Sequence, residues 1–576
     1  MTSRSLRYRA PLLWLVLPLM AGLAAGRACE LGAPGRLLAG AVVAALLALV
    51  AAWRAPRVWA WPLMAAMLLL GAASFGLHRQ RLPERDALPP REARLSLRVD
   101  RVFAGSGAVR AGGIATVVGA DTHLRDLIGQ RVCYSFTLRP GETVPVRSAV
   151  LAAVGVLTVV PPDPAAGTFE DYLAGAGVNF RLARGRVLAE ERAATAYYRL
   201  CARAAERFNV ILGFGLVERR PELAGLLRAM MLGETQELSE EQHGLFMRSG
   251  TMHLFAISGM NIAVIAGVIG LLLRWLRLPE WARFALGAGA LWLFVDITGT
   301  SPSAVRAWVM AVFVQTAWLL WRPANPLAAV TASALAVLLA APGQFFSASF
   351  QMSYGIVLAL FMLGLPLGEA WLARWTPWRD LPEVTWQWWH RAGAAGWRWG
   401  VSAVAIGVAT TLMSLLTGVR FFQLLTPGAL VANLVLIPAA MLATLGGFAS
   451  LLCGLAGFAP GAVWCNQLAG LTLQGIEAIV RLSVRLPGAF VPARFRAEWI
   501  GPAALTALVA ALLAGYAWGW RKERGGFWPP FAVVAVTLAL GVKFGESDRP
   551  TEDKHEPPRI KIEGFLLPIH PPAFRP

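Results

Sequence analysis

The stretch starting at Thr251 reads Thr-Met-His-Leu-Phe-Ala-Ile-Ser-Gly-Met-Asn and opens a long apolar run. A histidine followed by a serine suggests a base and a nucleophile. On a helix of 3.6 residues per turn, His253 and Ser258 stand about 140° apart, so a catalytic pair there would need a broken helix. The other reading is polar chemistry inside a membrane, where a charge at mid-helix costs about 2.5–3.5 kcal/mol on insertion scales. Residues that bear such a cost mark a protein interior, a cavity or a pathway. Ser258 and Gly259 permit a local break and close helix approach, and Asn261 adds an amide.

Three further segments place polar groups in apolar runs. Ser-Pro-Ser-Ala-Val-Arg ends at Arg306, which is followed by fifteen residues without charge. That arginine either snorkels from a helix end or faces a wet cavity where it can meet phosphate. Ser349-Phe-Gln-Met-Ser-Tyr puts Gln351 and Ser353 at the start of a span. Asn433 with Pro438 puts an amide and a kink inside another. Each alone is common interhelical glue; together they favour a shared polar path.

Several chemistries lack their motif. There is no Cys-x-x-Cys spacing among Cys29, Cys133, Cys201, Cys453 and Cys465, which argues against a zinc or thioredoxin-like site. If the region that Cys133 and Cys201 flank lies outside the cytoplasm, a disulfide between them is permitted. No Gly-x4-Gly-Lys-Ser/Thr loop appears, so any ATP-driven step belongs to another chain. No cofactor is expected.

The elements that must position these residues are mostly membrane helices. The chain has 576 residues, 56% hydrophobic and 15% charged, against about a quarter charged in soluble domains. Three apolar stretches near 11–26, 37–53 and 58–77 read as spans rather than a signal peptide, because they follow one another at once. Residues 80–192 differ. Leu95, Leu97 and Val99 alternate with polar residues, as do Val132, Tyr134 and Phe136, which marks half-buried strands of a small β-barrel or sandwich. Gly105-Ser106-Gly107 and Gly112-Gly113 supply turns, and Pro161-Pro162-Asp163-Pro164 closes the region. Residues 193–250 read as amphipathic helices, one starting at Pro221 and stopped by Gly233, the next opened by a Ser239–Gln242 capping box. From 251 to 543, ten spans are expected, near 252–276, 282–299, 303–321, 325–341, 349–368, 398–417, 424–441, 442–459, 499–520 and 527–543. The Trp- and Arg-rich 371–397 suits an interfacial belt, Leu471 to Leu486 a surface helix, and 544–576 a polar tail.

Net charge is +19, and only four of the basic residues are lysine. Guanidinium pairs bidentately with phosphate, so an anionic substrate or anionic lipid fits. Arginine placement sets the orientation: the Arg4–Arg9 cluster, the Arg54/Arg57 loop and the Arg521-Lys522-Arg524 loop are expected in the cytoplasm. That puts both the β-rich region and the C-terminal tail outside.

His253-Leu-Phe-Ala-Ile-Ser-Gly-Met-Asn261 resembles the signature of the ComEC competence proteins, the proposed DNA-uptake channels of transformable bacteria. Pro302-Ser-Ala-Val-Arg306, Ser349-Phe-Gln-Met-Ser353 and Leu430-Val-Ala-Asn433 with Pro438 are similar to family patterns in the same order. Thr168-Phe-Glu-Asp-Tyr-Leu-Ala-Gly-Ala-Gly-Val178 resembles the end of the family's N-terminal soluble domain. The resemblance implies an OB-like fold for 91–190, which binds single strands through a basic groove and aromatic platforms. Candidates are Arg98, Arg101, Phe103, Arg131, Tyr134 and Phe136; core packing competes for the last two, which share a strand face. Many members carry a second histidine where Asn261 stands here. Longer members add a metallo-β-lactamase-like domain with a His-x-His-x-Asp-His set. The histidines here (His78, His123, His243, His253, His390, His555, His570) form no such set, so no metal site or nuclease is expected in this chain.

The expectation is a polytopic α-helical membrane protein with an inserted small extracytoplasmic OB-like β-barrel, in a bacterial inner membrane. Single-stranded DNA would pass a route lined by His253, Ser258, Gly259, Asn261, Arg306, Gln351, Ser353 and Asn433. Transport rather than catalysis is expected, with a DNA receptor, an ATPase and a nuclease on other chains and self-association open. The rival is a permease or membrane enzyme of the same fold with another substrate, or a homologue no longer active in DNA uptake.

Overall fold

A computed structural model describes residues 10–545 except 30, 56, 81–88, 104–109, 140–141, 162–167, 256, 322–324, 379–380 and 487. The Arg4–Arg9 cluster, the Gly105-Ser106-Gly107 turn, Pro162-Asp163-Pro164, His555, His570 and the tail from 546 lie outside the described residues.

The three N-terminal stretches form α1 (Leu13–Ala28), α2 (Pro34–Arg54) and α3 (Ala60–Gln80). Helices α1 and α3 cross where Gly22 and Gly71 leave no room for a side chain: a Cβ at Gly22 would collide with the Leu68 carbonyl, one at Gly71 with the Leu19 carbonyl. Small residues permit this backbone approach in a medium where packing, not water, drives association. Helix α2 turns Val42, Val43, Leu46, Leu47 and Leu49 outward.

The β-rich region is a closed five-stranded barrel of order β1-β2-β3-β5-β4, built from β1 (Arg91–Val102), β2 (Arg110–Ala120), β3 (Arg131–Thr137), β4 (Val150–Val159) and β5 (Val178–Arg192). All neighbours are antiparallel except β3 and β5. The alternation in β1 works as read: Ala93, Leu95, Leu97 and Val99 point in and Arg94 and Arg98 point out. Strand β3 is covered on both faces. Val132, Tyr134 and Phe136 fill the barrel, and Cys133 lies in a second core with Ile114, Val160, Leu173 and Val178. The cover is the short helix α4 (Phe169–Gly175), between β4 and β5. Cys133 and Cys201 are both free thiols.

Helices α5 (Ala196–Gly213), α6 (Pro221–Leu232) and α7 (Glu240–Arg248) follow, and the capping box of Ser239 and Gln242 forms. The amphipathic expectation fails for α6. Leu223 through Leu227 and Ala229 through Leu232 are all buried, because α6 is enclosed by α5 and by two long helices, α15 (Ala429–Leu455) and α16 (Ala459–Arg485).

Between α7 and α15 run α8 (Gly259–Trp275), α9 (Glu280–Ile297), α10 (Pro302–Leu319), α11 (Pro326–Ala340), α12 (Ala348–Ala359), α13 (Leu365–Arg374) and α14 (Trp388–Phe422). A wide turn, Leu360–Gly364, joins α12 to α13. After α16 come α17 (Ile500–Ala517) and α18 (Trp528–Gly541). Among the described residues, seven helical segments are long and apolar enough to cross a membrane: Pro34–Arg54, Ala60–Arg79, Met252–Trp275, Ala348–Arg374, Trp388–Phe422, Ala429–Leu455 and Ile500–Ala517. The protein is a multi-pass membrane protein.

Three expectations change. The spans read near 424–441 and 442–459 are largely one helix, α15, with Pro438 inside it. No turn residue separates the two apolar runs, and Gly446 and Gly447 serve close packing on Ala469 and Met231 instead. Leu471 to Leu486 is not a separate surface helix; nearly all of it lies in α16, antiparallel neighbour of α15. The last span stops at Gly541, and Val542–Phe544 forms a strand (β8) in a small sheet with β7 (Val491–Phe495) and β6 (Leu424–Leu425).

The barrel is tied to the bundle by an ion pair. Arg147 Nη1 lies 2.8 Å from Asp296 Oδ1, and the Tyr197 hydroxyl donates to Asp296 Oδ2 at 2.8 Å. The Asp296 side chain is 1% exposed, at the last turn of α9, so the carboxylate depends on these donors. Arg147→Ala removes one charge-assisted bond and should cost about 1.5–3 kcal/mol of barrel docking. Faster limited proteolysis of 143–149 in the variant would show it; an unchanged rate would mean the barrel docks without the pair. Burial under α4 pushes the Cys133 thiol up to about 11, so it is protonated at neutral pH. At pH 8 a thiol reagent should label exposed Cys29 and spare Cys133 until the barrel unfolds; rapid labelling of both would mean that α4 lifts away.

Candidate functional site

Three helices begin close together, each with a serine cap. Ser258 Oγ accepts from Asn261 N at 3.3 Å, Ser301 Oγ from Ala304 N at 3.3 Å, and Ser347 Oγ from Phe350 N at 3.2 Å. These caps open α8, α10 and α12. Pro302 at the first turn of α10 has no N–H to leave unpaired. A Cβ on Gly259 would lie 3.7 Å from Ala307 Cβ, which puts the start of α8 against α10.

Arg306 joins α10 to α12. Its Nη2 donates to the Ser349 carbonyl at 3.0 Å, Ser349 Oγ at 2.6 Å and Ser353 Oγ at 3.0 Å. The residue is 2% exposed, so it does not snorkel. Nε and Nη1 have no hydrogen-bond partner, and no carboxylate pairs with it among the described residues. Each unpaired buried polar group costs about 1–3 kcal/mol, more when charged. The first turns of α10 and α12 add partial positive charge nearby, which favours an anion. On the same helix α12, Gln351 donates to the Phe345 carbonyl at 3.1 Å and accepts from Arg420 Nη1 at 3.0 Å.

The remaining path candidates fall elsewhere. His253 Nδ1 donates to the Gly250 carbonyl at 2.9 Å, which leaves Nε2 as an acceptor on an exposed ring. Ser258 Oγ accepts the cap bond of α8, and among the described residues no hydrogen bond joins it to His253. Asn261 is 3% exposed; it donates to the Met230 carbonyl at 3.2 Å and accepts from Thr444 Oγ1 at 3.3 Å. Its amide therefore clamps α6, α8 and α15 from a buried position. Asn433 is on α15, its Oδ1 buried without a partner among the described residues.

On the barrel, Arg98 and Arg131 are exposed; Arg98 Nε lies 3.5 Å from Asp100 and Arg131 Nη1 donates to the Ala176 carbonyl at 3.0 Å. Tyr134 and Phe136 are corrected. Each is 1% exposed, and the rings stack on each other at 4.6 Å inside the barrel. They are core, because inward positions of a closed small barrel must be filled. Phe103 stays near the surface, beside two aromatics of α4 that were not singled out, Phe169 and Tyr172. Their signal was present, since both lie in the Thr168–Val178 motif. Asp296 was also missed, although it is the lone carboxylate in the apolar part of its span.

The barrel rests on the helix starts. The Gly299 Cβ position is 3.8 Å from the Val102 carbonyl oxygen, and the Gly175 Cβ position is 3.8 Å from Ser347 Cβ. The end of β1 thus meets the α9–α10 turn, and α4 meets the cap of α12. Among the described residues, no group of three His, Cys, Asp or Glu is placed to hold a metal ion.

No solved structure matches the chain. A relative, "ComE operon protein 3" of Bacillus subtilis (strain 168), is 29% identical over 144 residues, which is 25% of this chain and 18% of that protein. The chain therefore aligns with less than a fifth of that relative's length. The family described as "Competence protein" matches residues 230–522, from within α6 to just beyond α17 and across every membrane-side candidate from His253 to Asn433. The match takes in half of the chain, and the protein belongs to the competence protein family.

Proposed function

We propose that the protein conducts single-stranded DNA across a bacterial inner membrane during DNA uptake. The observation that carries the reading is Arg306: a guanidinium inside the helix bundle, held by serine groups, with two nitrogens unbonded and no carboxylate paired with it among the described residues. An arginine meant only to brace helices would be expected to have an acid partner. One meant to meet a succession of phosphates must keep donors free, and its planar fork suits phosphate oxygens. Family membership supports the same reading, as does the arginine-rich charge of +19.

In this reading the barrel lies outside, receives the strand and passes it to the serine-capped helix starts. A DNA receptor, a nuclease and an ATPase on other chains complete the process.

Labelled DNA offered to the transformable host tests the proposal. Deletion of the gene should leave DNA bound outside and not internalised. Arg306→Ala should lower internalisation tenfold or more at normal membrane abundance, and Arg306→Lys should recover part of it, since a point charge still attracts phosphate. Unchanged uptake in the deletion strain would falsify the reading. Asn261→Ala should act differently. Loss of the Met230 and Thr444 bonds should cost about 0.6–2 kcal/mol of stability in detergent unfolding, by the usual worth of interhelical bonds, while uptake falls only in step with protein abundance.

A further inference from the structure

A strand received by the barrel needs a first point of contact on it. Five-stranded barrels of OB type bind oligonucleotides on the β2–β3 face and at the β1–β2 and β4–β5 connections. Here the β2–β3 rings Tyr134 and Phe136 are locked inside. The two connections carry the accessible aromatics instead. Phe103 starts the first, and α4 lies in the second.

The rings of Phe103, Phe169 and Tyr172 form a triangle with centroids 6.0–6.2 Å apart. Arg101 Nη1 donates to the Tyr172 hydroxyl at 2.6 Å, and its guanidinium stands 5.8 Å from the Phe103 centroid. Arg101 Nε is buried without a partner among the described residues. Phe169 remains 44% exposed although it stacks on Tyr172 at an interplanar angle of 22°. One large apolar face is thus left open beside a fixed guanidinium. The position matters as much as the chemistry: the far end of α4, at Gly175, abuts Ser347, two residues before the Ser349 that holds Arg306.

Resting on the conducting reading, we propose that Phe169, backed by Tyr172 and Phe103, is a stacking site for an unpaired nucleobase at the seam between barrel and bundle. Arg101 takes the adjoining backbone, and the strand then runs along α4 toward Arg306. Bases in a duplex are already stacked on one another, so the site takes single strands. Stacking on an aromatic face tolerates any base, as a conduit without sequence preference requires.

The test uses the full chain in lipid nanodiscs and in detergent micelles. Labelled oligothymidylate of about a dozen nucleotides is compared by anisotropy with its duplex and with an abasic strand of equal length. The wild-type protein should bind oligothymidylate most tightly. Phe169→Ala should weaken that binding about tenfold and leave the abasic strand unchanged, and Phe169→Tyr should restore it. Equal binding of oligothymidylate by wild type and Phe169→Ala overturns the stacking site, yet leaves the conducting reading intact if uptake still depends on Arg306. Equal weakening of both strands makes the ring a prop for α4 and also overturns it. An effect present in nanodiscs and absent in micelles makes Phe169 a headgroup anchor, with the same consequence. If the wild-type protein binds none of the strands, the site falls with the barrel's part in conduction.

Discussion

An apolar surrounding offers no water to a polar group, so each one must find its partner within the protein or bear the cost of having none. That constraint organises this helix bundle. Thr298, Thr331, Thr417, Thr444 and Thr537 each return a hydroxyl to the carbonyl four residues back, at 2.7–3.1 Å. Serines cap the helices that start inside, and Asn466 donates to the Ile211 and Phe214 carbonyls at 2.8 and 3.1 Å. Against this background the incomplete pairing of Arg306 has functional weight. Three of its bonds hold it in place and its other two nitrogens stay unpaired. Asn433 Oδ1, Ser450 Oγ and Asn466 Oδ1 are buried without a partner among the described residues as well, but those groups are neutral, whereas Arg306 carries a charge.

The same constraint explains why the soluble barrel and the bundle behave as one structure. Asp296 ends a membrane-side helix with a nearly inaccessible carboxylate, and its cation comes from the barrel's Arg147. The Arg147 guanidinium also lies 4.7 Å from the Tyr198 ring, so the helix that follows the barrel shares in the contact. With Gly175 against Ser347 and Val102 against Gly299, the barrel sits over the starts of α10 and α12 rather than swinging on a tether. Aromatic face, arginine and helix starts therefore occur in one continuous order along the seam.

Much of this was legible in one dimension because the governing forces are local. Alternation in β1 follows from the pleat, and the Pro221 start, Gly233 stop and Ser239 cap of α6 and α7 follow from backbone hydrogen bonding at helix ends. The shortage of charge alone implied a membrane body. The polar segments at 253–261, 302–306 and 349–353 stood out because lipid makes such residues costly wherever they lie.

What the sequence could not decide was which polar residue bonds to which. Asn261 and Arg306 read alike as intramembrane polar groups, yet one is bonded through both its amide nitrogen and oxygen, to Met230 and Thr444, and the other keeps two nitrogens without a partner. Tyr134 and Phe136 read as either platform or core, and barrel closure settled them as core, since a small closed barrel has no room to leave inward rings open. The exposed face of Phe169 exists only because α4 folds across the outside of β3. Residue type and spacing set the kinds of element and the cost of each polar group; the contacts between distant segments, which arise only when those elements pack, chose which groups are satisfied and which stay available.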